Sequence, residues 1–367
     1  MTERKLTRRL MIGNVPVGGG APVSIQSMTN TDTMDVAATL DQIRRLAEAG
    51  CQIVRIAVPA TKPGQALEAT RGAVAEIVSG SPIPAVADVH FDYTLALAAL
   101  EAGVQGLRIN PGNIGGEEKV RAVAEAAGER GVPIRVGVNA GSLEKEILSR
   151  YGHPTAEALL ESALKEIALL EKYGFKDIKV SVKSSSVPLT LDSYRLLSER
   201  VDYPLHVGVS EAGPPWMGTI RSSIGIGTLL AEGIGDTIRV SLAGDPVQEV
   251  RVGRAILKSL EPSRSGADII ACPTCARTQI DVEGIASELE TRLQDLKVPI
   301  RIAVMGCAVN GPGEAAEADL GVAGGKTKGL LFIKGKRRGW YAKQDLLKVL
   351  LDEVEKMTAE LSNKEKT

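Results

Sequence analysis

Short runs of β-branched and aliphatic residues recur along the first two-thirds of the chain, at 23–29, 52–58, 84–89, 106–110, 133–139, 177–183, 204–210 and 236–242. Between them lie stretches whose apolar positions return at helical spacing, such as Val36 to Ala49 and Ala156 to Tyr173. Several of these stretches end in glycine (Gly50, Gly103, Gly174), the residue that closes a helix in the left-handed conformation. A last helix of this series is expected at about 246–260. Eight strand–helix units within about 240 residues predict a (β/α)8 TIM barrel, an α/β fold. A doubly wound open sheet is disfavoured, because no glycine-rich dinucleotide turn follows the first strand. Ahead of the repeats, Gly13-Asn14 between two short apolar runs predicts a hairpin.

Residues two apart in a strand share a face. Arg108 pairs in this sense with Asn110, and Arg135 with Gly137 and Asn139. Lys179, Ser181 and Lys183 form a third set, and Arg239 and Ser241 a fourth. Arg55, Asp88 with His90, and His206 with Ser210 follow the same pattern. The alternate positions are apolar and suit contact with the outer helices, which turns the polar set toward the barrel axis. A barrel interior is ordinarily filled by Val, Ile and Leu, and buried charges require partners. Six inward Arg and Lys residues therefore predict an anionic guest, better matched by a diphosphate than by one phosphate. Arginine's planar fork suits phosphate oxygens. The stretch Gly218 to Gly227, expected to lead into the seventh helix, offers further backbone donors. Glu211, at the end of the seventh strand, is placed for acid–base work. Asp88 and His90 are either catalytic or orient the arginines. Cys51 reads as a core thiol and His153 as a surface residue.

The segment Glu261 to Ala267 reads as a linker, dividing a barrel domain (1–260) from a C-terminal domain (268–367). The expected order there is a strand, a cysteine turn, a helix at about 282–296 and a strand at 299–305. A second cysteine turn, strands at about 318–323 and 329–334, and a helix at about 342–361 follow, giving a small α+β module. Cys272-Pro273-Thr274-Cys275 brings two thiolates to one centre, and Cys307 follows a strand. Three thiolates suit an iron–sulfur cluster with one distinctive iron, Glu314 being the nearest candidate for its remaining ligand. A structural zinc knuckle is the alternative, although zinc is usually completed by Cys or His. All three histidines, His90, His153 and His206, lie far upstream. A C-x-x-C pair that binds nothing is the third reading. The run Lys334-Gly335-Lys336-Arg337-Arg338 either docks an acidic electron carrier or is a solvated hairpin.

Composition narrows the classes. The 367 residues carry a net charge of −1 and only 3% aromatics, which argues against nucleic acid or an anionic membrane as partner. No run approaches the ~20 apolar residues of a membrane span, and residues 1–23 lack the apolar core of a signal peptide. Four cysteines, two of them in C-x-x-C, suit a cytoplasmic protein rather than a disulfide framework.

The motifs resemble those of the bacterial 4-hydroxy-3-methylbut-2-enyl diphosphate synthase family of the methylerythritol phosphate route to isoprenoids. The resemblance is carried by Val23-Ser24-Ile25-Gln26-Ser27-Met28-Thr29, Leu107 to Gly115, Arg135-Val136-Gly137-Val138-Asn139 and His206 to Gly213. It is carried most specifically by Cys-Pro-x-Cys with Gly306-Cys307-Ala308-Val309-Asn310-Gly311-Pro312-Gly313-Glu314. Two small departures are Ser210, where threonine is common, and Ala276, where glycine or serine is common. The resemblance implies a [4Fe–4S] cluster held by Cys272, Cys275, Cys307 and Glu314. It also implies that 2-C-methyl-D-erythritol 2,4-cyclodiphosphate binds through Arg55, Arg108, Arg135, Lys179, Lys183 and Arg239. A substrate oxygen is then expected to replace Glu314, with Glu211 as proton donor and ferredoxin or flavodoxin as electron source. A hydrolase or lyase barrel with a zinc knuckle is the runner-up, and a zinc-type nucleic-acid adaptor the non-enzymatic alternative. A homodimer with shared sites is also expected. The eighth helix leaves the chain at the barrel's bottom, and a linker of about seven residues spans at most ~25 Å. A second chain's module reaches the mouth more readily, and the family resemblance points the same way.

Overall fold

The computed structural model describes residues 2–58, 65–261, 266–294, 296 and 298–364. The chain divides into two compact units, Met1–Leu260 and Glu261–Thr367. The expected linker, 261–267, falls mainly on residues 262–265, outside the described residues.

In the first unit, β1 (Leu10–Ile12) and β2 (Val15–Val17) form an antiparallel hairpin about Gly13-Asn14. Eight parallel strands follow: β3 (Ser24–Met28), β4 (Ile53–Ala57), β5 (Ala85–Asp88), β6 (Gly106–Ile109), β7 (Ile134–Asn139), β8 (Ile178–Lys183), β9 (His206–Val207) and β10 (Thr237–Ile238). They pair in the order β8-β7-β6-β5-β4-β3-β10-β9, and a bridge between Val180 and Leu205 joins the two ends. This is the (β/α)8 barrel that the periodicity predicts. The last two ladders are shorter than the apolar runs 204–210 and 236–242 suggest. At Gly208 the backbone passes so close to its neighbour that an added Cβ would stand 2.4 Å from the Arg239 carbonyl oxygen.

Alternation decides the two faces of the wall. Leu107, Ile109, Ile134, Val136, Val138, Ile178, Val180 and Val182 join the apolar core under the helices. On the inner face the lowest layer is apolar as well. Ile53 and Val86 pack against Ile12 and Val17, so the N-terminal hairpin forms the barrel's floor. Above that floor the inner face turns polar.

The stretch Gly218 to Gly227 does not lead into a helix. It lies inside the helix Pro215–Ala231, where Gly218, Ser222 and Gly225 form a buried face. A Cβ at Gly225 would meet Val209 at 2.6 Å, and one at Gly218 would meet Leu242 at 2.6 Å. The small residues thus serve close helix–wall packing, and their amides are engaged along the helix. The earlier helix Lys145–Tyr151 was not anticipated.

The second unit is a five-stranded sheet in the order β11 (Ala267–Ala271), β12 (Ile300–Met305), β13 (Leu320–Gly324), β14 (Lys328–Ile333) and β15 (Lys336–Ala342). The first three run parallel and the last two are antiparallel. Helices Val282–Leu293 and Leu346–Lys364 cover one face, through Ile285, Leu289, Leu350 and Val354. The short helix Gly311–Glu317 lies over the other, with Ala315 against Ala303, Ala323 and Phe332. Three expectations change here. Gly311-Pro312-Gly313 is the first turn of that helix rather than a free turn, consistent with proline's preference for a helix start. The basic run continues into β15, a strand whose polar outer side hid its pattern. The terminal helix begins at Leu346, after a short 3-10 turn at Lys343–Asp345.

Candidate active site

The mouth of the barrel holds a cavity of about 300 Å³. Arg55, Asp88, His90, Arg108, Arg135, Asn139, Lys183, Ser210, Glu211, Arg239 and Ser241 line it. The strand register explains the convergence. Asp88 stands opposite Arg108, Arg108 opposite Arg135, Arg135 opposite Lys179, and Asn139 opposite Lys183. Of the remaining sequence-derived candidates, Lys179, Ser181 and His206 are buried on the same inner faces but do not line the cavity. Asn110, also buried, follows β6 and begins the 3-10 turn Pro111–Asn113.

Two carboxylates organise this cluster of six cations. Asp88 lies 3.4 Å from Arg55 Nε and accepts from Arg108 Nη1 at 3.1 Å. Burial alone would raise its pKa, but Arg55, His90, Arg108 and Arg135 outweigh that and hold it well below the usual carboxylate range. His90 Nε2 is 2.6 Å from Arg108 Nη1, so Asp88 and His90 together orient that guanidinium. Glu249, from the helix Pro246–Leu260, is the second carboxylate. It lies 3.4 Å from Arg239 Nε, accepts from Ser27 Oγ at 2.9 Å and from the Leu242 amide at 3.1 Å. Glu249 lies outside the strand alternation that marks the other site residues. Its signal was an acidic residue on the core-facing stripe of a helix, between Pro246, Val250 and Gly253.

The other cations lack such support. Arg135 donates from Nη1 to Ser181 Oγ at 2.5 Å, while its Nε and Nη2 have no partner among the described residues. Among the described residues, Lys179 Nζ and His206 Nε2 are likewise buried without hydrogen-bond partners. Burial, reinforced by the mutual repulsion of the arginines and lysines, pushes the pKa values of Arg135, Lys179, Lys183 and His206 well down. Arg55 falls to about 10, chiefly through burial. Room for the cations comes from missing side chains. A Cβ on Gly137 would stand 2.9 Å from Arg108 Nε and 3.0 Å from Arg135 Nη1. Buried donors without acceptors, beside surplus positive charge, are what an anion-binding site presents before it is filled.

Glu211 stands exposed at the rim with φ +45°, a strained conformation for a residue with a side chain. Phe91, just after His90, shares that backbone type at φ +63°. Cys51 is buried, and desolvation pushes its thiol up to about 12, the inert core role expected of it. His153 is exposed.

In the second unit, β11 and β12 run side by side and end together, Ala271 pairing with Val304. Cys272 and Cys307 follow those two strand ends, and Cys275 lies in the turn after Cys272. Cys272 Sγ accepts from the Gly306 amide at 3.1 Å. Cys307 has its pKa lowered by the Val309 backbone amide, with further help from Asn310 and Arg277. All three are free thiols, and Glu314 is exposed in the first turn of Gly311–Glu317. Among the described residues, no three His, Cys, Asp or Glu side chains already stand in the geometry of a metal-ion site. The hairpin turn at Lys334-Gly335 lies at the other end of the sheet from the cysteines, because β14 runs antiparallel to β13.

A family model described as the GcpE TIM-barrel domain matches residues 7–254, and one described as the GcpE protein C-terminal domain matches residues 268–356. A relative from Caldanaerobacter subterraneus subsp. tengcongensis is 57% identical over 357 residues, 97% of this chain and 99% of its own length. One from Geobacter sulfurreducens is 57% identical over 354 residues, 96% of this chain and 98% of its own. Both bear the name 4-hydroxy-3-methylbut-2-en-1-yl diphosphate synthase (flavodoxin). Among solved structures, a type I 3-dehydroquinate dehydratase from Clostridium difficile covers 70% of this chain and 98% of its own, with a TM-score of 0.52 and 14% identity. That likeness concerns the barrel fold alone. Both domains and nearly the whole length agree, and the chain belongs to the GcpE family.

Proposed function

We propose that the protein converts 2-C-methyl-D-erythritol 2,4-cyclodiphosphate to (E)-4-hydroxy-3-methylbut-2-enyl diphosphate with electrons from flavodoxin, in the cytoplasm. The observation that carries this reading, beside the names of its relatives, is the surplus of buried cations at the barrel mouth. Two electrons and two protons enter, the ring opens at a carbon–oxygen bond to phosphate, and one hydroxyl leaves as water. In this reading Arg55, Arg108, Arg135, Lys183 and Arg239 clamp the diphosphate, with Lys179 adding positive charge from below. Asn110, Asn139, Ser181, His206 and Ser241 complete the polar wall, and Asp88 and Glu249 hold the arginines in place. Glu211 donates a proton at the rim.

Cys272, Cys275, Cys307 and Glu314 would hold a [4Fe–4S] cluster, which when bound supplies single-electron transfer. The donor set fits that group. It offers three free thiols, one with a lowered pKa and one already accepting an amide N–H, together with one carboxylate, in a unit whose sequence contains no histidine. The working form in this proposal is a homodimer, in which the second unit of one chain serves the barrel of its partner. Exposed Phe91 and Trp216 at the mouth end of the barrel support an apolar contact there.

The test is turnover of the cyclic diphosphate by anaerobically purified protein with reduced flavodoxin. Product formation that disappears in Cys275→Ser and Arg108→Ala is expected. Stoichiometric zinc in an active, colourless protein would overturn the cluster, and no binding of the cyclic diphosphate would overturn the substrate. For the dimer, mixing Arg108→Ala with Cys307→Ser under subunit exchange should restore part of the activity. Demonstrated exchange without recovery would refute site sharing.

A further inference from the structure

Behind the cavity wall lies a cluster centred on Glu166, a residue that belongs to neither the strand pattern nor the family motifs. Glu166 sits on the inward face of the helix Ala156–Glu171 and is only 1% exposed. Neither of its carboxylate oxygens has a hydrogen-bond partner among the described residues. Asn110 is 6% exposed, and its Oδ1 is also without a donor. Gly112 brings the two together. A Cβ placed on it would stand 3.3 Å from Asn110 Oδ1, 3.6 Å from Glu166 Oε1 and 3.7 Å from Glu144 Oε1. Three acceptors from three elements therefore surround the position that a Cβ on Gly112 would take.

The nearby donors are committed elsewhere. Ser162 donates to Glu144 Oε2 at 2.6 Å, and Lys165 Nζ lies 3.9 Å from Glu144 Oε1. Arg108 directs Nη1 to Asp88 and His90 and Nη2 to the Gly137 carbonyl, and Nε is its one nitrogen without a partner among the described residues. A buried acceptor with no donor loses its hydration without compensation. One proton added to the cluster turns an acceptor into a donor and relieves two of these groups together.

Resting on the function proposed above, we propose that Glu166 is a positioning residue that works as the neutral acid. Its O–H donates to Asn110 Oδ1 and fixes the turn 110–113, with the Asn110 amide held beside Arg108. The electrostatics agree with the geometry. Burial raises the Glu166 pKa to about 8, Glu144 adds to the rise, and Arg108 and Lys165 offset only part of it. The sign follows directly. The proton is bound more tightly in the folded chain, so this contribution is complete below the ordinary glutamate value and fades as pH rises through about 8.

The test separates protonation from catalysis. Protein carrying carbon-13 at its glutamate carboxyls is titrated by NMR, with the Glu166 signal assigned by its loss in Glu166→Gln. A carboxyl protonated at pH 7 and titrating near pH 8 is expected, whereas one ionised at pH 7 would overturn the proposal. In the holoenzyme, Glu166→Gln retains a donor and should keep KM for the cyclic diphosphate close to that of the parent at pH 7. It should also hold that KM through pH 9, where the parent's rises. Glu166→Leu should raise KM about tenfold, the scale of one lost hydrogen bond, with a smaller effect on kcat. Equal losses in the Gln and Leu variants would show an ionised Glu166 paired with Arg108 Nε, and would refute the neutral acid. Failure of the parent to bind the cyclic diphosphate would remove the functional reading and leave the titration result standing.

Discussion

Replacing Arg135 with methionine should make the empty protein more stable and the ligand weaker. Arg135 is 4% exposed, with Nε and Nη2 unpartnered among the described residues and Arg55 and Arg108 as like-charged neighbours. Removing these unpaired buried donors recovers about 1–3 kcal/mol, and losing the bond to Ser181 costs about 1 kcal/mol. The net gain of up to about 2 kcal/mol corresponds to a Tm higher by up to roughly 8 °C for a unit of this size. Affinity for the cyclic diphosphate should fall by about 1.5–3 kcal/mol, or roughly 10- to 150-fold. Calorimetry of the intact chain under anaerobic conditions, with and without ligand, reads both effects. At ligand a hundredfold above the parent's Kd, the parent gains about 2.7 kcal/mol, and the variant gains less than about 1.5 kcal/mol. The Tm difference then shrinks or changes sign. An Arg135→Met protein that melts lower without ligand, or gains as much from ligand as the parent, would refute the view that this cation waits for an anion.

Three other perturbations probe the same site. Gly137→Ala should displace Arg108 and Arg135, since its new carbon would stand 2.9–3.0 Å from both; binding should weaken by roughly tenfold or more, checked by titration calorimetry. Asp88 has a depressed pKa, so its contribution to stability is complete above the ordinary carboxylate value and is lost as pH falls through and below that value. Asp88→Asn should therefore destabilise at pH 7 and converge with the parent in acid, as read by denaturant midpoints. In folded protein without the cluster, exposed Cys275 should alkylate at neutral pH far faster than Cys51, with its thiol at about 12 and its side chain buried; mass spectrometry of the labelled sites decides.

The barrel was legible because its strands alternate so strictly. Arg108 between Leu107 and Ile109, or Lys179 between Ile178 and Val180, admits one orientation once the helices lie outside. The cysteine spacing was equally plain. What escaped was whatever depends on contacts across the chain. Glu249 looks like any helical glutamate until the fold brings Ser27 and Arg239 to it. Gly218, Ser222 and Gly225 read as a loop by composition, yet close packing against Val209 and Leu242 favours small residues in a helix there. β15 carries Lys336, Arg337 and Arg338 on an edge, where charge is normal protection and alternation is weak. Glu166 falls within a helical pattern, and only burial reveals that its charge has nowhere to go.

The hairpin beneath the barrel has a kinetic consequence. With Ile12 and Val17 packed against Ile53 and Val86, apolar side chains of the described residues close the lower end. Whatever enters the cavity must leave by the same door, and so must the water released in the proposed reaction. Anything that covers that door during chemistry has to lift once per turnover before the next substrate can enter. Tighter coverage would protect the reacting centre from solvent while slowing departure, so the best rate belongs to an intermediate grip. Turnover that slows as solvent viscosity rises would reveal that uncovering, rather than bond breaking, sets the pace.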